Sequence, residues 1–181
     1  MRKGKFIIKL ATLAALLLVS VGTTLAVLSA ISGPVTTTFV IGDIDLALEE
    51  TAGAEYKLLP GTEVALDTRV TVRSGSVDCW LFIRLNRMND ADGYLDYAIA
   101  DGWTLLDGYD GVYYRSVSDS EEDATFQVIK GDSVTVKDTL TKEKLQAITN
   151  KPRLTVTAYA VQSHGIDTAD AAWSIILTEE E

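Results

Sequence analysis

From Val35 onward, this chain consists of short runs in which apolar and polar residues alternate. Glycine, aspartate or serine separates one run from the next, roughly every eight to twelve residues, which is typical of strands joined by turns. Alternation with a period of two places every second side chain on the same face of a strand. The clearest run is Arg153–Gln162. Because the runs are short and no strand–helix–strand rhythm occurs, the pattern predicts an all-β fold, an antiparallel β-sandwich.

One or two short helices are expected beside the strands. Thr141 is a suitable N-cap for a helix that continues to Ile148, and Thr168 can cap a final turn that carries Trp173. Both helical segments are short, so they add to a β fold without changing its class.

Several strands can be placed individually. The run Cys79–Arg87 is apolar on both faces, which is typical of a central strand covered on both sides. Cys79 is the single cysteine of the chain, so no internal disulfide can form and we expect a buried, inert thiol. Residues 64–66 and 70–72 predict a pair of strands, and Asp107–Gly111 predicts the turn of a hairpin.

The amino end has the features of an export signal. A cationic start precedes the apolar run Leu10–Val21, and small residues follow as far as Ala26. This arrangement predicts an N-terminal signal helix over residues 1–26, with cleavage between Ala26 and Val27, and it directs the rest of the chain out of the cell. No charge occurs between Leu10 and Thr38, and roughly 20 apolar residues suffice to cross a bilayer, so an uncleaved signal anchor is the alternative.

Charge restricts the possible partners of the exported part. The leader holds four of the 16 lysines and arginines and none of the 26 acidic residues, so the remainder has a net charge of −14. Nucleic acids and anionic membranes require a basic surface, and this composition argues against both. We therefore expect a secreted domain that touches membrane only through an uncleaved signal, with residues 27–41 as an N-terminal segment and 42–181 as the sandwich.

The order of several motifs resembles a known family. Gly22-Thr23-Thr24-Leu25-Ala26 is followed by a strand of the form Thr-Phe-x-x-Gly-x-Ile-Asp-Leu over residues 38–46, and further matching segments are Leu59-Pro60-Gly61, Asp101-Gly102-Trp103, residues 110–115 and residues 154–162. Together they are similar to the exported proteins processed by the SipW-type signal peptidase, a family that includes TasA and camelysin. The resemblance implies a jelly-roll-like β-sandwich, processing by that peptidase, and a role in extracellular biofilm matrix fibres.

The resemblance to camelysin also implies a metallopeptidase, and this expectation can be tested against the residues. Zinc enzymes use mainly histidine and cysteine ligands, whereas this chain has one of each, His164 and Cys79, and no His-Glu-x-x-His motif. Ser163 and His164 are neighbours on one strand and point to opposite faces, so they cannot form a nucleophile–base pair. The sequence therefore predicts no catalytic residue and no cofactor.

Calcium is the most plausible ligand among metals. Asp90 and Asp92, followed by Gly93, match part of a calcium-binding loop, and Asp107 and Asp110 form a second acidic pair. The competing explanation is that aspartates occupy these positions because they favour turns.

The segment released by cleavage is the main functional candidate. Residues 27–41 are uncharged and β-prone, with Val27, Leu28, Ile31, Val35 and Phe39 as apolar positions. Such a segment can add to the sheet edge of a neighbouring copy. The contact joins two different surfaces, so it generates filaments unless it closes a ring. Alternatively, the segment pairs within its own domain, and the protein is a monomeric secreted binding module.

Overall fold

The computed structural model of the chain describes residues 30–32, 37–50 and 55–179. The predicted leader, its cleavage point between Ala26 and Val27, and the assembly residues Leu28 and Val35 lie outside these ranges. Within them, no helix has the length and apolar character required to span a membrane.

The described residues are mostly β, with several antiparallel sheets and short helices, as predicted. The strands are β1 (Ala30–Ser32), β2 (Thr37–Ile41), β3 (Leu46–Glu49), β4 (Glu55–Lys57), β5 (Glu63–Ala65), β6 (Arg69–Val72), β7 (Cys79–Met88), β8 (Leu95–Asp96), β9 (Thr104–Leu105), β10 (Val112–Val117), β11 (Ala124–Gln127), β12 (Ser133–Val136) and β13 (Arg153–Gln162). The helices are α1 (Ala91–Tyr94), α2 (Lys142–Gln146) and α3 (Ala169–Glu179).

The largest sheet is organised around β7 and β13. Its order is β4-β1-β13-β7-β10-β9, and β2 also pairs with β13. β7 and β13 are antiparallel from Arg153 opposite Met88 to Gln162 opposite Cys79. Since β10 pairs with the other side of β7, the prediction of a central strand at 79–87 is confirmed. β9 and β10 form the predicted hairpin.

The smaller sheets correct one prediction. Their orders are β11-β6-β3 and β5-β12-β8, so β5 and β6 do not pair with each other, although residues 64–66 and 70–72 predicted a strand pair. The connection between them crosses from one sheet to the other. The Leu66 N–H donates to the Asp132 carbonyl at 2.8 Å, and the Thr68 carbonyl accepts from the Val128 N–H at 3.0 Å. These bonds hold the crossing segment, which alternation alone cannot distinguish from a hairpin.

Two cores cover the two faces of β7. The side chains of Cys79, Leu81 and Ile83 belong to the main core, between the large sheet and the small ones. Phe82 faces the other way, into a second core that we call the helix core because α3 covers it. Its buried members are Phe82, Leu106, Val112, Tyr159, Val161, Ala169, Ala172, Trp173 and Ile176.

The C-terminal element is longer than the single turn expected from the sequence. α3 has 11 residues, and the Thr168 hydroxyl accepts from the Ala171 N–H at 3.2 Å, as a capping residue does. Its buried residues recur with helical spacing and form one apolar stripe: Ala169, Ala172, Trp173 and Ile176. The other predicted cap is also present, since the Thr141 hydroxyl accepts from the Lys144 N–H at the start of α2.

The N-terminal strands depart from a purely antiparallel arrangement. β1 and β2 both run parallel to β13. β1 pairs with it at Arg153, and β2 pairs with it along Thr157–Val161. A parallel partner requires a long connection, and here most of the chain separates β2 from β13. Alternation within a strand carries no information on the direction of its partner, so this difference could not be seen in the sequence.

Candidate functional site

The strand β2 is an edge strand held from one side. Its five residues pair with β13 from Thr37 opposite Thr157 to Ile41 opposite Val161. Among the described residues, no other strand is in register with β2. The main chain of β2 therefore has one bonded side and one side free of ladder hydrogen bonds, which is the property of a strand that can leave or join a sheet.

Side chains of β2 pack against the edges of both cores. Val40 is half-buried and packs against the main core, whereas Ile41 is half-buried and packs against the helix core. Thr38 is exposed. Because neighbouring residues of a strand point to opposite faces, one short strand contributes to both cores at once, and its removal would expose apolar surface on both sides of β13.

A single glycine joins β2 to the body of the protein. Gly42 has φ +107°, and a Cβ at this position would lie 2.9 Å from the Cβ of Gln162. The next residues bond to the body: the Asp43 carbonyl accepts from the Val77 N–H at 3.3 Å, and the Asp45 N–H donates to the Ser76 hydroxyl at 3.0 Å. Gly42 is thus the bend between the strand and the domain. Gly33-Pro34 is the other candidate for a bend between the N-terminal segment and the domain in the sequence, and these two residues lie outside the described ranges.

The two assembly residues whose backbone is described pair within the chain. Ile31 in β1 lies opposite Tyr56 of β4, and Phe39 in β2 lies opposite Tyr159 of β13. In this structure of one chain, the segment therefore completes the chain's own sheet. The sequence had left this arrangement open as the alternative to donation.

The calcium candidates are divided by the fold. Asp92 and Asp110 both pair with the guanidinium of Arg87, Asp92 at 3.4 Å and Asp110 at a closer contact. Asp90 enters α1 with a left-handed backbone (φ 58°), and Asp107 lies in the exposed turn after β9. In ranges 37–50 and 55–179, no group of three or more His, Cys, Asp or Glu side chains is arranged to hold a metal ion. Asp92 and Asp110 are the two candidates that share a partner, and that partner is the guanidinium of Arg87, not a metal ion.

Cys79 and His164 have contrasting environments. Cys79 is fully buried, as predicted, and burial raises the pKa of its thiol to about 11. His164 is exposed in the turn after β13 and borders an open groove of about 640 Å³ with Asp78, Asp119 and Glu121. The Oδ1 of Asp78 accepts from the Asp119 N–H at 2.7 Å, which shapes the groove and occupies one of its carboxylate oxygens.

Comparison of the chain with protein-family models, curated proteins and solved structures gives no match.

Proposed function

We propose that this chain is an exported structural protein, a subunit of an extracellular fibre that assembles by exchange of its N-terminal edge strand. One observation carries the proposal: β2 is a parallel edge strand on β13, joined to the domain by the bend at Gly42. In the assembled form, the segment that contains β1 and β2 of one copy lies on β13 of the next. The predicted leader and the resemblance of the sequence motifs to the TasA and camelysin family support export, a jelly-roll-like sandwich, processing by a SipW-type peptidase and a matrix role.

Exchange keeps the interactions of the single chain. The register of β2 on β13 extends over five residue pairs, and the same main-chain bonds form whether the strand comes from the same copy or from a neighbour. The free energy of exchange is therefore set by the bend at Gly42 and by the entropy of association. Because donor and acceptor surfaces differ, repeated exchange gives an open filament.

When β2 leaves its own domain, the edge of β13 is left unpaired, and this edge favours association with a neighbouring copy. Without β2, the backbone of Thr157–Val161 loses its parallel partner. Val40 and Ile41 would no longer cover the rims of the main core and the helix core. An unpaired edge beside exposed apolar side chains is an association site, so each open copy gains stability when the next strand fills it.

Cleavage of the leader determines when assembly can begin. Before cleavage, residues 27–41 are joined to an apolar leader of 26 residues, and the release of Val27 frees the donor end. The net charge of −14 on the exported part opposes random association at long range. At physiological ionic strength this repulsion decays within about 8 Å, so it does not prevent strand exchange at contact distance.

The test compares the mature chain with a form that lacks the strand. Residues 27–181 and 42–181 are purified and followed by light scattering and electron microscopy. We expect filaments from the longer form only. A synthetic peptide of residues 27–41 should bind to 42–181, keep it monomeric and raise its melting temperature, which separates a missing strand from a failure to fold. The control peptide carries Val40→Asp and Ile41→Asp, which remove the contacts to both cores.

Two results would contradict the proposal. If 42–181 forms the same filaments as the longer form, another surface drives assembly. If 27–181 remains monomeric at every concentration at which it is soluble, the strand serves its own domain only. Casein hydrolysis by the pure protein that a chelator abolishes would instead support the camelysin-like peptidase.

A further inference from the structure

Arg115 is placed where a charged side chain is costly. It lies on β10, opposite Leu81 of the central strand β7. Its Nε is buried without a hydrogen-bond partner, and burial lowers the pKa of the guanidinium. No hydrogen bond or ion pair joins it to the residues that the structure describes. A partly desolvated cation without a counter-charge destabilises the fold of the isolated chain.

Aromatic rings fix the guanidinium in one orientation. Its Cζ lies 3.8 Å from the ring centre of Phe126 and 5.3 Å from that of Trp103. The two rings meet edge to face at 6.5 Å. Trp103 is itself anchored, since its Nε1 donates to the Gln127 carbonyl at 2.8 Å. Stacking of this kind pre-orders the planar fork of arginine and compensates part of its desolvation.

The terminal nitrogens of Arg115 are accessible. Nε is the one nitrogen of this side chain that is both buried and unsatisfied. Since Nη1 and Nη2 also have no hydrogen-bond partner among the described residues, their absence from the buried atoms means that they retain contact with solvent. The backbone of Gly102 lies close to the guanidinium, because a Cβ there would lie 3.1 Å from Nη2. The neighbouring carboxylate, Asp101, does not compensate Arg115, since it pairs with the Lys130 ammonium at 3.0 Å.

An apolar surface adjoins the guanidinium. β9 pairs with β10 so that Leu105 lies opposite Tyr113, and the same register places Trp103 opposite Arg115. Opposite residues, and residues two apart, share a face of the sheet. Leu105, Tyr113, Trp103 and Arg115 therefore lie together, and Leu105 is 54% exposed.

We propose that Arg115 and these neighbours form a binding site for a carboxylate that carries an apolar group. The two accessible nitrogens present parallel N–H donors that match the two oxygens of a carboxylate. Leu105 and the exposed parts of the rings contact the apolar group. This chemistry occurs in a small aromatic acid and in a peptide that ends in an aromatic residue with a free carboxyl group. The site requires no strand exchange, so it is independent of the fibre proposal.

The experiment follows the indole N–H of Trp103 by ¹⁵N NMR while ligands are added to the exported protein. Phenylacetate should give a saturable shift. Phenylacetamide, which has the same shape without the charge, and acetate, which lacks the ring, should bind at least about tenfold more weakly. A dipeptide that ends in phenylalanine, compared with its C-terminal amide, shows whether a chain end is the better source of the carboxylate.

Variants link the shift to Arg115. Arg115→Gln should weaken phenylacetate binding about tenfold or more. Arg115→Lys, which keeps the charge without the fork, should weaken it less. The matched control is Arg73→Gln, because Arg73 is an exposed arginine already paired with Asp123 at 2.8 Å, and its loss should leave binding unchanged. Equal binding of phenylacetate and phenylacetamide, or unchanged affinity in folded Arg115→Gln and Arg115→Lys proteins, would overturn the proposal.

Discussion

Trp173 allows a direct test of the helix core. It is fully buried in α3, and its ring centre lies 5.1 Å from that of Phe82 and 5.2 Å from that of Tyr159. Its indole N–H is buried and has no hydrogen-bond partner within the described part of the chain. The residue thus combines a large favourable contact with an unsatisfied donor, and two substitutions separate these contributions to the free energy of unfolding.

Trp173→Ala removes the ring and leaves a cavity, which costs about 3–5 kcal/mol for a buried tryptophan. Trp173→Phe removes roughly three heavy atoms, a loss of about 2 kcal/mol in burial. It also removes the unpaired donor, whose desolvation costs about 1–3 kcal/mol. The two terms offset each other, so Trp173→Phe should be within about 1 kcal/mol of the parent, whereas Trp173→Ala should lose several.

Urea unfolding followed by far-UV circular dichroism measures both values, because this signal does not depend on the tryptophan itself. If Trp173→Phe is destabilised as much as Trp173→Ala, the indole N–H makes an interaction that the described residues do not contain. If Trp173→Ala costs less than about 1 kcal/mol, α3 does not form a core on β7 and β13.

Three further predictions concern single residues. Gly42→Ala should destabilise the protein by about 2–3 kcal/mol in urea unfolding, because φ is +107° and the new Cβ meets Gln162; Gly108→Ala, at φ +80° in open space, should cost about 1 kcal/mol, and equal losses would contradict the clash. Cys79 should react with a thiol reagent at mild alkaline pH only as fast as the protein unfolds, because burial raises its pKa to about 11; rapid labelling, measured by absorbance, would contradict this. Burial raises the pKa of Glu50 above its ordinary value of 4.5, so its stabilising contribution is complete below that value and is lost as the pH rises through the folded-state pKa. The stability of the parent relative to Glu50→Gln should therefore fall as the pH rises from acid to neutral, and a constant difference across a pH series would refute the assignment.

Local patterns in the sequence predicted those features that depend on neighbouring residues. The apolar residues on both faces of 79–87 predicted a central strand, and the alternation over 153–162 predicted its long partner. Thr141 and Thr168 predicted two helix starts, because capping depends on a hydroxyl within three residues of the N–H that it accepts from. The length of α3 was underestimated even though its apolar stripe is visible in the sequence.

The candidate sites depended on partners far apart in the chain. Alternation in 37–41 indicated a strand, but its parallel position on β13 joins residues separated by most of the domain. No sequence pattern distinguishes Arg115 from other arginines in strands, because its contacts with Trp103 and Phe126 form only in the folded chain. The aspartates at 92 and 110 suggested a cation, and the fold placed Arg87 between them.

The sequence by itself therefore determined that this is a β-rich chain with a buried thiol and a strand that is central to its sheet. These properties follow from periodicity and composition, which act over a few residues. Only the tertiary structure decided which strands pair, where the N-terminal strand lies, that Gly42 is its bend, and that Arg115 has no counter-charge among the described residues. Each of these features depends on distances between residues that are remote in sequence, and such distances are fixed only when the side chains of the two cores pack together.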